Sequence, residues 1–529
     1  MGSKHIWINE DNASFYIGFP ESAMTEAGCR ALVDGYCDGG GVAGLSFCVN
    51  VQRALFASRS WESLYVDYDP DGPDDQPCLQ WLAPEDRSLG KPCHGRTWVH
   101  HLWLLEQRGV DHPAIWLDQS RQRGAEGWLS MRMNDVHHAP KKDAFWHNSL
   151  WREHPEYRRA SYRDEGWFEE AYDYAHEAVV SHHCALIDEL CDRYDLDGLE
   201  LDWVRWVRHS KPGHERIVAA QLTRVMQHAR AATERAAQRL GHPVGLGARL
   251  PADLASCVHL GYDLPTWAKE GLLDHIVLAP FFQQCDFQVD VDLWRALFPA
   301  ARVLVQPEAM LIPSPQAGEG NLIYDPRFLA GASACALHNG ADGVWLFNEC
   351  YRFTPVDNFF ERFPTYRELL TRDAGDLEAL RDAPRRQVVS FHQILGPGRA
   401  SFSALPIALT RPDGSYDFAR FRDCISLSLP LGPKPQSSQV RLKLGLSSDT
   451  PAIATADLKL WCNATPLTAP ATSETGPGKR SFAAPWPRDV DQGLVIEVPL
   501  AALHDGDNII EWLPPAVAGA LIWAELEIG

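Results

Sequence analysis

The segment with the most evident capacity for chemistry is Asp197-Gly198-Leu199-Glu200-Leu201-Asp202-Trp203. In an extended strand, residues two apart share a face, so Glu200 and Asp202 point the same way with Cα atoms ~6.6 Å apart. Carboxylates this close repel. At least one must find a cation or hold its proton to a higher pH than usual. Arg132, Arg249 and Arg205 are the candidate cations. A protonated carboxyl beside an ionised one suits acid/base chemistry at a glycosidic bond, and an ionised one can also act as nucleophile. Glu308 closes another extended run and is the candidate for an opposing carboxylate. Asp202 is the first choice for acid/base, being nearer the end of its strand, with Glu308 as partner and Glu200 supporting or replacing either. A buried ion-pair network would use the same residues, and Glu308, after Pro307, also suits a surface loop.

Other residues suit polyol recognition. Asn50, Asn134 and Asn348 end extended runs on the face assigned inward, and an amide both donates to and accepts from hydroxyls. Trp146, Trp151 and Trp206 fall in loops from which an indole can stack on a pyranose ring. Asp135 and His137 follow Asn134 in the same stretch. Each has a plainer role: Asn in a turn, Trp in a core. Glu349 is disfavoured because Trp345 and Phe347 read as outward-facing. Adjacent histidines such as His137-His138 and His182-His183 point apart, against a metal site. No glycine-rich phosphate cradle, GxSxG elbow or HExxH helix is present. No cofactor and no metal are expected.

Extended runs alternate with helical stretches up to about residue 350, at 15–19, 44–50, 128–134, 197–203, 244–250, 276–279, 303–308 and 343–348. Long amphipathic helices are expected at about 166–194 and 213–240, and a Pro/Gly/Asp-rich loop at about 60–95. Eight strands alternating with helices is the arithmetic of a (β/α)8 TIM barrel. In several runs one face is apolar while the other is small at the start and polar at the end. Leu199, Leu201 and Trp203 oppose Gly198, Glu200 and Asp202; Leu246, Ala248 and Leu250 oppose Gly245, Gly247 and Arg249. A barrel with its site at the C-terminal mouth needs that pattern, whereas a doubly wound open sheet would bury two apolar faces.

After a charged connector, short alternating runs separated by Pro and Gly predict a β-sandwich. The expected division is a catalytic barrel at 1–375, a linker at 376–386 and an all-β accessory domain at 387–529. Lys plus Arg number 49 against 70 Asp plus Glu, a formal net charge of −21, which argues against nucleic-acid and membrane-surface partners. The 13 Cys lack CxxC spacing and read as reduced, buried thiols. With no apolar secretory core near the N-terminus, a cytoplasmic location is expected. Oligomeric state is not legible.

The Asp197–Trp203 segment, Ser130-Met131-Arg132-Met133-Asn134-Asp135-Val136-His137, Trp151-Arg152-Glu153-His154-Pro155-Glu156 and Gly340-Ala341-Asp342-Gly343-Val344-Trp345-Leu346-Phe347-Asn348 resemble bacterial glycosyl hydrolase-like barrels, the family-10-like hypothetical glycosidases. The resemblance covers about residues 10–375 and implies a TIM barrel acting on a carbohydrate. It supplies no particular sugar. Two rival functions are a non-catalytic carbohydrate-binding barrel and a metal-assisted lyase or isomerase of sugar acids.

Overall fold

The structure, a computed structural model, describes all residues except 1–4, 164–169, 281–283, 313–321, 357–358, 390, 393–401, 410–423, 476–482 and 516. Eight strands close into a barrel: β1 (Ile6–Glu10), β2 (Val42–Cys48), β3 (Glu126–Arg132), β4 (Gly198–Asp202), β5 (Gly245–Pro251), β6 (His275–Ala279), β7 (Arg302–Val305) and β8 (Gly343–Leu346). Around the barrel they run β1-β8-β7-β6-β5-β4-β3-β2, with parallel pairing from β1 through β6 by way of β2. The barrel class expected from the alternation is the one observed. Helices Glu177–Arg193 and Glu215–Leu240 flank β4 in sequence, and the second stops at Gly241, whose φ of +78° suits glycine. The first begins later than the expected start near 166: residues 170–176 are not α-helical, Tyr172 forming a bridge to Arg158, and 164–169 lie outside the described residues.

The first strand is a correction. Residues 15–19 are not extended: Ser14–Gly18 is a helical turn, and the strand is Ile6–Glu10. The turn forms because the Glu10 carboxylate accepts from the Phe15 backbone N–H (3.0 Å) and from the Ser14 hydroxyl, satisfying donors at a helix start. β1 also carries the signal of a barrel strand, with Trp7 and Asn9 alternating against Ile6 and Ile8.

Indoles fill the lower barrel. Trp7, Trp128, Val277, Leu304, Trp345 and Phe347 form one buried cluster. This overturns the outward assignment of Trp345 and Phe347. Every residue of Val344-Trp345-Leu346-Phe347 is apolar, so alternation cannot tell inside from outside there. Glycines make the room: a Cβ on Gly198 would stand 2.5 Å from the Trp128 ring, one on Gly245 2.8 Å and one on Gly247 2.9 Å.

The chain divides into two compact units, residues 1–279, 293–304 and 345–372 in one, and 280–292, 305–344 and 373–529 in the other. In the second, a sheet ordered Arg385–Val388, Ala520–Ile528, Val440–Ser447, Val490–Glu497, Thr472–Thr475 is antiparallel throughout. Its apolar residues, among them Leu442, Leu444, Ile496 and Leu526, share a core with Leu427, Leu429, Ile510 and Trp512 of a second antiparallel sheet. The helix Pro326–His338 contributes Phe328, Ala332 and Cys335 to another core with Val388 and Trp523. The expected linker is structured: 376–386 holds the helix Leu377–Arg381 and the first residues of a sheet strand. Its charge misled because Arg386 is buried, bound to Glu525 (2.7 Å) and Asp325 (2.9 Å).

Candidate active site

Strand register sets the electrostatics of the carboxylate pair. At one level of the barrel β3, β4 and β5 align Ser130, Glu200 and Gly247; at the level nearer the C-terminal end they align Arg132, Asp202 and Arg249. Asp202 is therefore flanked by arginines and Glu200 by a hydroxyl and a hydrogen. Nη1 of Arg249 donates to both Asp202 oxygens, at 2.9 and 3.0 Å. The backbone N–H groups of Val204 and Arg205 add two bonds to Oδ1, each 3.0 Å. Glu200 receives the Ser130 hydroxyl at 2.8 Å and the Ser46 hydroxyl at 3.4 Å, both on Oε1. Among the described residues Oε2 makes no hydrogen bond, so it is the oxygen open to a proton. Burial first, and the neighbouring Asp202 charge second, push the Glu200 carboxyl up to about 7.

Above this pair lies a second cluster. Arg132, expected near the carboxylate pair, turns instead to Asp11 and to Asp135 (2.7 Å). Burial alone would raise both acids, but Arg132 outweighs it at Asp11, and His137 and Arg132 outweigh it at Asp135, so both lie below the usual range. His137 Nδ1 stands 2.9 Å from Asp135 Oδ1, and Arg205 Nη2 stands 2.8 Å from His137 Nε2. The guanidinium can only donate, so Nε2 accepts and Nδ1 carries the proton. Burial holds His137 below the ordinary histidine value, which favours this neutral form. Its side chain is 20% exposed, whereas that of Asp135 is wholly buried. Phe347 lies over Arg249, 4.2 Å from its guanidinium carbon, and 5.6 Å from that of Arg205.

The sequence missed Asp11, Ser46, Ser130 and Phe347. Asp11 was discoverable, since Trp7, Asn9 and Asp11 continue one alternating face. Ser46 and Ser130 sat on the correct face but carried no chemical signal of their own.

The asparagines hold backbone rather than an open cavity. Asn50 Oδ1 accepts from Arg132 N–H (3.0 Å), and its Nδ2 donates to the carbonyls of Arg132 (3.0 Å) and Val51 (2.6 Å). Asn134 accepts from Tyr172 N–H at 2.8 Å and donates to the Tyr172 carbonyl at 3.0 Å. Asn348 is half-buried with φ of +61°, in a left-handed turn after β8, one position off the inward parity of Phe347. Trp146 is buried against Trp98, with ring centroids 4.7 Å apart, and Trp151 is buried beneath Arg158, 3.8 Å above its ring. Trp206 is buried beside His137, 5.3 Å between centroids. Glu308 lies beyond β7 in the second unit, buried, with Gln306 Nε2 donating to its Oε1. Glu349 accepts from the Tyr366 hydroxyl at 2.7 Å. Among the described residues no group of three or more His, Cys, Asp or Glu is disposed to hold a metal ion.

No protein-family profile and no curated protein matches the chain in sequence. Solved structures align with it at low similarity. A cycloisomaltooligosaccharide glucanotransferase of Paenibacillus sp. aligns over 99% of this chain at 9% identity and TM-score 0.33, and this chain spans 57% of that protein. A putative alpha-L-fucosidase from Bacteroides thetaiotaomicron aligns over 99% of this chain and 95% of its own, at 9% identity and TM-score 0.34. A family GH18 chitinase from Chromobacterium violaceum aligns over 100% of this chain and 88% of its own, at 11% identity and TM-score 0.34. Likenesses this distant carry no argument about activity.

Proposed function

We propose that the chain is a glycoside hydrolase in which Glu200 is the proton donor and Asp202, held by Arg249, its partner carboxylate. One observation carries this: two carboxyls on the same strand face stand in opposite settings, Glu200 raised to about 7 and Asp202 clasped by Arg249. A carboxyl that keeps its proton beside one clasped by a guanidinium suits an acid and its companion. Glu200 gives its proton to the glycosidic oxygen as the C–O bond breaks, the bonding pair leaving with that oxygen. The Asp202 carboxylate stabilises the oxocarbenium-like centre, and water adds to that centre while giving one proton back to Glu200. The assignment reverses the order expected from sequence, because four hydrogen bonds leave Asp202 poorly suited to shuttling a proton. The resemblance to glycosyl hydrolase-like barrels points to the same chemistry. Glu308 is kept as a proposed second carboxylate, to be tested by Glu308→Gln.

The experiment is turnover of a broad panel of aryl glycosides and oligosaccharides by the wild type, Glu200→Gln and Asp202→Asn. Both variants should lose about 10²–10⁴-fold in kcat while remaining folded. Full activity in both would refute the assignment. Glycan binding without any turnover by the wild type would favour the receptor alternative, and an unsaturated product the lyase.

A further inference from the structure

The mouth of the barrel carries Arg132, Arg205 and Arg249, and their counter-charges are unequally shared. Arg132 is bound to Asp11 and Asp135, and Arg249 to Asp202. Arg205 has no carboxylate oxygen within 4.0 Å among the described residues. Its Nη2 donates to the neutral Nε2 of His137, and its Nε makes no hydrogen bond. Aromatic rings take the place of an anion: the guanidinium carbon lies 5.7 Å from the centroid of Trp206 and 5.6 Å from that of Phe347. Such rings orient a guanidinium and shield it from water without neutralising it. Asp11, Asp135 and Asp202 act on it only through space, none of them in direct contact.

The local backbone agrees. Trp206 has φ of +64°, a left-handed conformation that a bulky residue adopts only when its surroundings impose it. That turn sets Trp206 beside Arg205, whose own N–H is bound to Asp202 Oδ1 at 3.0 Å. Arg205 thus belongs to the same turn that fixes Asp202. Of the three arginines in this cluster, Arg205 alone lacks a direct carboxylate contact among the described residues.

We propose that Arg205 is the anchor for an oxyanion on the substrate, and that the substrate is an acidic sugar, a uronic acid residue whose carboxylate meets the guanidinium edge-on. The proposal rests on the mouth being a carbohydrate site, as in the preceding section, but not on its being hydrolytic. Planar bidentate pairing with a carboxylate is what a guanidinium does better than an ammonium. A sulfate ester presents related oxyanion chemistry and forms a separate arm of the test.

The test is calorimetric binding of the full chain to oligoglucuronate, oligogalacturonate and oligomannuronate fragments, to the same fragments with carboxyls reduced to alcohols, and to sulfated neutral fragments of equal length. At least one uronate should bind about tenfold or more tighter than its reduced form. Arg205→Gln should erase that preference, and Arg205→Lys should retain part of it, with thermal melts confirming that both fold. Equal binding of acidic and reduced fragments, failure of every uronate to bind, or a preference unchanged in Arg205→Gln would overturn the proposal. Preference for the sulfated fragments alone would overturn the carboxylate assignment. Binding is read on Glu200→Gln as well, so loss of the hydrolytic assignment and loss of this one give different results.

Discussion

Asp202 and Arg249 stand at the same level of neighbouring strands, and one guanidinium nitrogen reaches both carboxylate oxygens at 2.9 and 3.0 Å. Glu200, one level below, has glycine where Asp202 has arginine. Two residues along β5 therefore separate a carboxyl clasped by a guanidinium from one that burial raises to about 7.

Removing that arginine should unfold part of the barrel's advantage. Arg249→Met leaves Asp202 buried without its partner, a change that costs about 3–5 kcal/mol. Urea denaturation should show a loss of that order. The double variant Arg249→Met, Asp202→Asn should recover a substantial part of it.

The same substitution should move the pH profile. With Glu200 as the donor, kcat falls as pH rises through about 7, because the acid loses its proton. Arg249 opposes that raised value, so Arg249→Met should carry the alkaline limb to higher pH. A limb that stays in place in the variant would assign the proton to another group.

Glu10 should govern stability rather than turnover. Burial raises its carboxyl to about 7 from 4.5, against the hydrogen bonds from Ser14, Tyr36 and Phe15 that pull the other way. Between those two values the folded chain holds a proton that the unfolded chain has released. This contribution is thus fully present below about 4.5 and is lost as pH rises through about 7, to the extent of about 3 kcal/mol. Glu200 acts in the same sense. Glu10→Gln should flatten roughly half of the decline in melting temperature over this window.

Gly198→Ala tests the packing beneath the acids. Its methyl would sit 2.5 Å from the Trp128 ring. Overpacking of this kind costs about 1–3 kcal/mol, read as a lower denaturation midpoint at an unchanged slope.

The barrel was legible because alternation along β4 and β5 and the rhythm of helices are properties of short stretches. The pair Glu200 and Asp202 was legible for the same reason. What could not be read was pairing between strands distant in sequence. That Arg132 turns to Asp11, 121 residues earlier, depends on β1 and β3 both pairing with β2. The inward direction of Trp345 and Phe347 was hidden in a run with no polar residue to mark its outer face. Asn50 and Asn134 have side chains equally suited to sugar hydroxyls and to backbone amides, and only their neighbours in space decide between the two.

Trp128 and the three glycines that face it, Gly198, Gly245 and Gly247, can change only as a set. A larger residue at any glycine collides with the indole, while a smaller residue in place of Trp128 opens a void directly under Glu200. Such a void would admit solvent from below and lower the acid's affinity for its proton without any change at the rim. The lower barrel is therefore closed to stepwise diversification. Substitutions that spare this packing are those in the loops above it, where Trp206 and His137 lie.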